Sequence, residues 1–251
     1  MKYPTLVTLF SLVIALLAGE ASAQEFTRRS YILPPGSVEL TGEPARPKLL
    51  GIGAGEDSFG EPFHVPLHVY FGLSEDFTLG IVHDFGPCFN CDHFYNDVGL
   101  GMLYRLTTSQ DFELDLHVVA PLIRNFNDPF RAGGRIGVLG RVNIGEVVAL
   151  VFDPALYIGF TNRDEDNREG IGLPIWVYFQ VTPGFAPFVG TGLHGPLDDF
   201  GDHFSGPLEG GAIFSVNQDI DLGFVIQFWN ALGRRHTLDA RELGFLARFR
   251  F

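Results

Sequence analysis

Cysteine is almost missing from this sequence: Cys88 and Cys91 are the only two among 251 residues. That count excludes a small scaffold held by several disulfides and any site built from four thiolates. Cations are also scarce. Seventeen Lys and Arg face 30 Asp and Glu, giving a formal charge of -13. Nucleic acid is thereby excluded as a partner, because neutralising phosphates requires clustered Lys and Arg. Beyond the first 23 residues no apolar run approaches the roughly 18 residues that a membrane-spanning helix requires.

What is present begins with Met1 and Lys2, an apolar run from Leu6 to Ala18, and the small-residue stretch Ala21-Ser22-Ala23. This is the pattern of a secretory signal peptide over residues 1–23, cleaved before Gln24. No lipidation cysteine stands at the junction. In an exported, oxidised chain, Cys88 and Cys91 within Pro87-Cys88-Phe89-Asn90-Cys91 are expected to pair as a loop staple. Redox or metal use lacks its usual context.

The rest of the chain is 46% hydrophobic despite its acids, and the apolar residues are dispersed at a period of two. Phe112, Leu114, Leu116 and Val118 alternate with Asp111, Glu113, Asp115 and His117. Ile220 to Phe228 alternates with Asp221 to Trp229, Ile171 to Phe179 with Gly172 to Gln180, and Phe63 to Phe71 with His64, Pro66, His68 and Tyr70. Strict alternation predicts strands with one apolar and one polar face.

Strands of about ten residues, joined alternately by short turns and long loops, predict an all-β fold: a closed antiparallel transmembrane β-barrel of about twelve strands. Short turns are expected near Ser74, Ser109, Gly145, Pro183 and Gln218. Long loops are expected over residues 43–60, 86–96, 121–130, 161–169, 194–206 and 231–240. Pro66, Pro154, Pro174 and Pro187 fall inside expected strands, where a missing ladder donor marks a bulge or a strand boundary. Residues 24–35 are read as a periplasmic N-terminal segment, open between a free tail and a short plug, and 36–251 as the barrel.

The final strand, Leu243-Gly244-Phe245-Leu246-Ala247-Arg248-Phe249-Arg250-Phe251, alternates and stops on phenylalanine. Here the chain resembles the outer-membrane β-barrel proteins of bacteria, including transporter-like and porin-like barrels. The resemblance implies that Phe245, Phe249 and Phe251 form an assembly signal read by the barrel-assembly machinery. It also implies outer-membrane lipid and lipopolysaccharide as surroundings; the alternation of short turns and long loops places both termini on the periplasmic side, and no cofactor is expected.

By parity the inward face holds Glu39, His64, His68, Asp84, Arg105, Glu113, Asp115, His117, Arg135, Arg141, Asp153, Glu209, Asp221, Arg248 and Arg250. Mixed charges around a narrow lumen set up a transverse field, the arrangement of a passive pore for small polar or charged solutes. The same charges can instead pair across the lumen and close it, giving a sealed structural or adhesive barrel. A third reading, an outer-membrane lipid hydrolase, needs an activated nucleophile. His83 is the best base for it, yet no serine-centred motif surrounds it, so no catalysis is expected. No metal centre is expected either. The loop bearing His194, Asp198, Asp199, Asp202 and His203 matches no calcium or zinc spacing, although divalent-ion bridging to lipopolysaccharide is the sharper idea for it.

Overall fold

A computed structural model describes residues 25–54, 59–83, 88–89, 98–126, 129–165, 167–233 and 237–251. The expected signal peptide, Asp84 and the side-chain pairing of Cys88 with Cys91 lie outside the described residues. The described residues build twelve antiparallel strands. These are β1 (Val38–Thr41 and Lys48–Ala54), β2 (Phe59–His64 and His68–Ser74), β3 (Phe77–His83 and Cys88–Phe89) and β4 (Val98–Thr108). Next come β5 (Phe112–Asn125), β6 (Arg131–Ile144), β7 (Val148–Phe152 and Ala155–Gly159) and β8 (Gly170–Gly172 and Ile175–Phe179). The last four are β9 (Phe185–Thr191 and His194–Pro196), β10 (Ser205–Ser215), β11 (Ile220–Gly233) and β12 (Thr237–Arg250).

Each strand pairs with its successor, and β12 pairs with both halves of β1: Glu39 stands opposite Arg250 and Ile52 opposite Leu243. The sheet therefore closes on itself, which removes the unpaired edge that an open sheet must protect. Where β1 starts and β12 ends, Val38 and Phe251 exchange backbone hydrogen bonds at 3.0 and 2.9 Å.

The strand interruptions have a local cause. Breaks in β2, β7 and β8 fall at Pro66, Pro154 and Pro174, each lacking the N–H a ladder needs. Two of these carbonyls still accept: Val138 N–H donates to Pro154 at 3.1 Å and Asp153 N–H to Pro174 at 3.3 Å. Pro187, by contrast, stays inside β9 opposite Ala212. In β1 the interruption at residues 42–47 bends into the barrel. The expected loop over 43–60 is thus corrected, since Lys48–Ala54 is strand. Of the loop expected over 231–240, residues 231–233 and 237–240 are strand, and 194–206 contains strand His194–Pro196 and a short helix, α1 (Phe200–His203).

Parity is as the alternation predicts. Glu113, Asp115, His117 and Val119 are buried on β5, as are Trp176 and Tyr178 on β8 and Gln180 just past its end. Outside, Leu222, Phe224 and Ile226 of β11 are 43 to 48% exposed, forming an apolar surface suited to lipid. Ile226 lies near the middle of β11, so Ile226→Arg is expected to lower folding stability in bilayers by about 2–4 kcal/mol. Denaturant titration in liposomes measures this, and an unchanged midpoint would argue against lipid at that face.

Candidate functional site in the lumen

The short-turn end of the barrel is closed from within. Residues 25–33, left open by the sequence between tail and plug, lie inside the wall. A single 3-10 turn, Phe26–Arg28, places Phe26 against Tyr178 of β8 at 5.3 Å between ring centroids. Thr27 donates from its N–H and hydroxyl to Gln180 Oε1 at 3.2 and 3.0 Å. Arg29 pairs with Asp221 of β11 at 2.6 Å and donates to the Asn217 carbonyl at 2.9 Å.

Further along, Glu113 of β5 accepts from the Ser30 hydroxyl at 2.6 Å and the Tyr31 N–H at 3.1 Å. Arg105 of β4 donates to the Ser30 hydroxyl at 2.5 Å, Arg141 of β6 to the Arg29 carbonyl, and Arg250 of β12 to the Ser30 carbonyl at 3.0 Å. Leu33 N–H donates to Thr78 Oγ1 of β3 at 2.9 Å. The segment returns to the wall through a turn at Pro35-Gly36, where Gly36 adopts φ +82, a conformation that glycine reaches without strain. Buried Phe26, Ile32 and Leu33 add apolar hold, roughly 1.5–3 kcal/mol for each fully buried side chain. Seven strands thus grip one short stretch of chain.

A second layer is formed by the inward bend of β1. Arg46 pairs with Glu209 of β10 and donates to Gln227 of β11 at 3.1 Å. The Ala45 carbonyl accepts from the Tyr178 hydroxyl at 2.9 Å and the Pro44 carbonyl from Arg248 at 2.8 Å. Trp176 also donates to Glu209. Its indole lies over Gly190, where an added Cβ would come within 2.3 Å of the ring, so only glycine fits there. Nearby, Lys48 pairs with Glu242 at 2.8 Å, and His64 lies 3.4 Å from the same carboxylate.

Above these layers, toward the long loops, the lumen is hollow. A cavity of about 550 Å³ at the mouth and one of about 260 Å³ below it share Arg135, Asp153, Pro174, His194 and Pro207 as walls. Arg135 pairs with Asp153 at 2.6 Å. His117 Nδ1 lies 2.9 Å from an Arg135 nitrogen and 3.2 Å from Asp153 Oδ1. It accepts from the guanidinium when unprotonated and can donate to the carboxylate only when that lone pair carries a proton.

The expected inward residues that are described fall into these layers. Arg105, Glu113, Arg141, Asp221, Arg248 and Arg250 meet at the plug or beside it, with Glu39 paired to Arg250 at 2.6 Å, and Glu209 and His64 lie at the inward bend. His68, His117, Arg135 and Asp153 border the hollow. Asp115 is 0% exposed, and neither of its oxygens has a donor among the described residues. Missed were Arg29, Arg46, Lys48 and Glu242. Parity with Arg248 and Arg250 would have found Glu242, but nothing periodic marks the other three. Phe245 and Phe251 are exposed, and Phe245 and Phe249 have the parity opposite to the buried Arg248. His83 likewise has outward parity on β3.

The five loop residues weighed for a metal do not converge. His194 lies 2.8 Å from the Ser205 hydroxyl, Asp198 pairs with Arg168 at 3.0 Å, and Asp199 with His203 at 2.8 Å. Among the described residues no three His, Cys, Asp or Glu side chains are grouped to hold an ion.

No protein-family model matches the sequence, and no curated protein is similar to it by sequence. Solved structures match the fold. The NanC porin is 9% identical, with a TM-score of 0.53 over 80% of this chain and 98% of its own. The KdgM porin, in complex with disordered oligogalacturonate, is 8% identical at TM-score 0.56 over 86% and 99%. An outer membrane channel from Pseudomonas putida F1 is 13% identical at 0.53 over 87% and 97%. By fold, then, the chain is a closed β-barrel of the kind these porins and this channel form.

Proposed function

We propose that this barrel is a passive outer-membrane pore for small polar or charged solutes, held closed at its short-turn, periplasmic mouth by residues 25–33. The observation that carries this reading is what fills the lumen. Eight strands give an interior that side chains alone can fill, but a twelve-strand wall is wider. Here two stretches of backbone, 25–33 and 42–47, occupy the difference. The first of them joins the wall at its Pro35-Gly36 end and through the contacts described above.

The closed arrangement also carries a cost. Asp115 is buried beside Glu113, so two carboxyl groups crowd one site away from water. The similar structures are named as porins and a channel, which favours a pore over a lipid hydrolase.

Planar-bilayer recording of the refolded protein tests the proposal. The chain is expected to show rare, brief openings, and a variant lacking residues 25–33 is expected to conduct persistently. Silence from both, across salts and voltages, would replace the pore with a sealed structural barrel, for which the buried ion pairs would be permanent packing.

A further inference from the structure

The hollow at the long-loop end has a chemical character beyond being polar. Its walls combine apolar surface from Leu122, Ala155, Pro174 and Pro207 with three guanidinium groups, Arg124, Arg135 and Arg168. Two carboxylates, Asp153 and Glu169, also border it. Asp153 is taken up by Arg135 at 2.6 Å, and Glu169 is paired at 2.5 Å with Arg163. Three guanidinium groups thus stand against two carboxylates among the residues that line the hollow.

Each guanidinium also has a neighbour that orients it. Arg135 is held by Asp153 and His117, Arg168 by Asp198 at 3.0 Å, and Arg124 lies over the Tyr157 ring at 4.8 Å. A guanidinium has five donors in a rigid fork, so one already paired still presents donors to a second, planar anion. The size, about 550 Å³, is within the usual range for a site that encloses a small organic molecule.

We infer that this vestibule binds small organic carboxylates with an apolar body, and that such acids are the solutes the pore admits. The carboxylate is received by Arg124 and Arg135, and the body rests on Leu122, Ala155 and the prolines. A polyhydroxylated acid fits less well, because its hydroxyls would meet apolar wall and lose water without replacement. The inference rests on the pore reading only in naming the solute; the site itself is tested by binding.

Isothermal titration of the refolded full chain compares cyclohexanecarboxylate, its uncharged counterpart cyclohexylmethanol, and the sugar acid galacturonate. Cyclohexanecarboxylate is expected to bind at least tenfold more tightly than either. Both tryptophans of the chain, Trp176 and Trp229, line the adjoining hollow, so their fluorescence is expected to follow the same titration. Arg135→Gln is expected to weaken the carboxylate tenfold or more. Arg124→Gln, on an exposed side chain away from the ion-pair layers, is expected to do the same without altering the barrel's melting.

Equal binding of the alcohol would show an apolar hollow with no use for the arginines and would overturn the inference. Tighter binding of galacturonate, or heat from none of the three, would overturn it too. Persistent conductance of the chain lacking residues 25–33 alongside such a result would leave the pore standing and remove only the solute class. Carboxylate binding to a barrel that never conducts would remove the pore and leave the site.

Discussion

Asp221→Asn is expected to turn a mostly closed barrel into a mostly open one. The carboxylate of Asp221 accepts from Arg29 at 2.6 Å, and both side chains are almost wholly buried. Losing one partner of a buried ion pair costs about 3–5 kcal/mol, because the other charge is left in a poorly solvated place. At about 1.4 kcal/mol per tenfold, that shifts the balance between seated and released segment by roughly two to three and a half orders of magnitude.

Arg29→Met is expected to act in the same direction more weakly. In that variant Asp221 keeps the Ser215 hydroxyl at 2.6 Å and Arg248 at 4.0 Å, so less charge is stranded. The order of open probability in bilayers is therefore Asp221→Asn above Arg29→Met above the unaltered chain. Trypsin supplies a readout independent of conduction: a released segment is cut after Arg28 or Arg29, while a seated one resists. If Asp221→Asn conducts and is cleaved no faster than the unaltered chain, the segment is not a gate held by this pair.

How far the sequence reveals all this depends on which physical signal each part leaves. The strands that carry charge on one face were legible, because Glu113, Asp115 and His117 alternate with Phe112, Leu114 and Leu116 and no other regular structure has that period. β1 was not. Beyond Lys48 the inward positions of its second half are Gly51 and Gly53, not charged residues, and Lys48 to Ala54 therefore read as the end of a loop. Gly51 is small for a reason the sequence does not state: a Cβ there would come within 2.3 Å of His64 Nε2.

The end of β11 was lost in the same way, since Asn230, Ala231 and Gly233 have loop composition although they continue the ladder. Residues 25–33 leave no pattern at all. Their conformation is set by contacts to seven strands, and contacts between distant parts of a chain have no period. The inward charges could be enumerated by parity, but their partition into a plugged end, a bend and a hollow follows only from where 25–33 and 42–47 lie.

The largest stability effect is expected at the seam where the first and last strands meet. Lys48 of β1, Glu242 of β12 and His64 of β2 share one buried cluster, with side-chain exposures of 3, 1 and 2%. Glu242→Ala strands the Lys48 ammonium, which then keeps the face of Trp229 at 4.8 Å as a partial substitute. Cation–π attraction of roughly 0.5–2 kcal/mol does not offset the loss of a buried ion pair, so a net destabilisation of about 3 kcal/mol or more is expected.

Replacing the pair together, Lys48→Met with Glu242→Leu, is expected to restore most of it, because two apolar side chains leave no charge behind. Glu169→Ala, which breaks the half-exposed pair with Arg163, is expected to cost under about 1 kcal/mol. Urea unfolding in liposomes, followed by the heat-dependent gel shift of folded barrels, measures all three. Should Glu242→Ala unfold at the unaltered midpoint, barrel closure would rest on the backbone ladder between β12 and β1 alone. Should the single variant fail and the double recover, the seam is electrostatic in what it cannot lose but not in what it needs, and the ladder plus close packing is enough to shut the barrel.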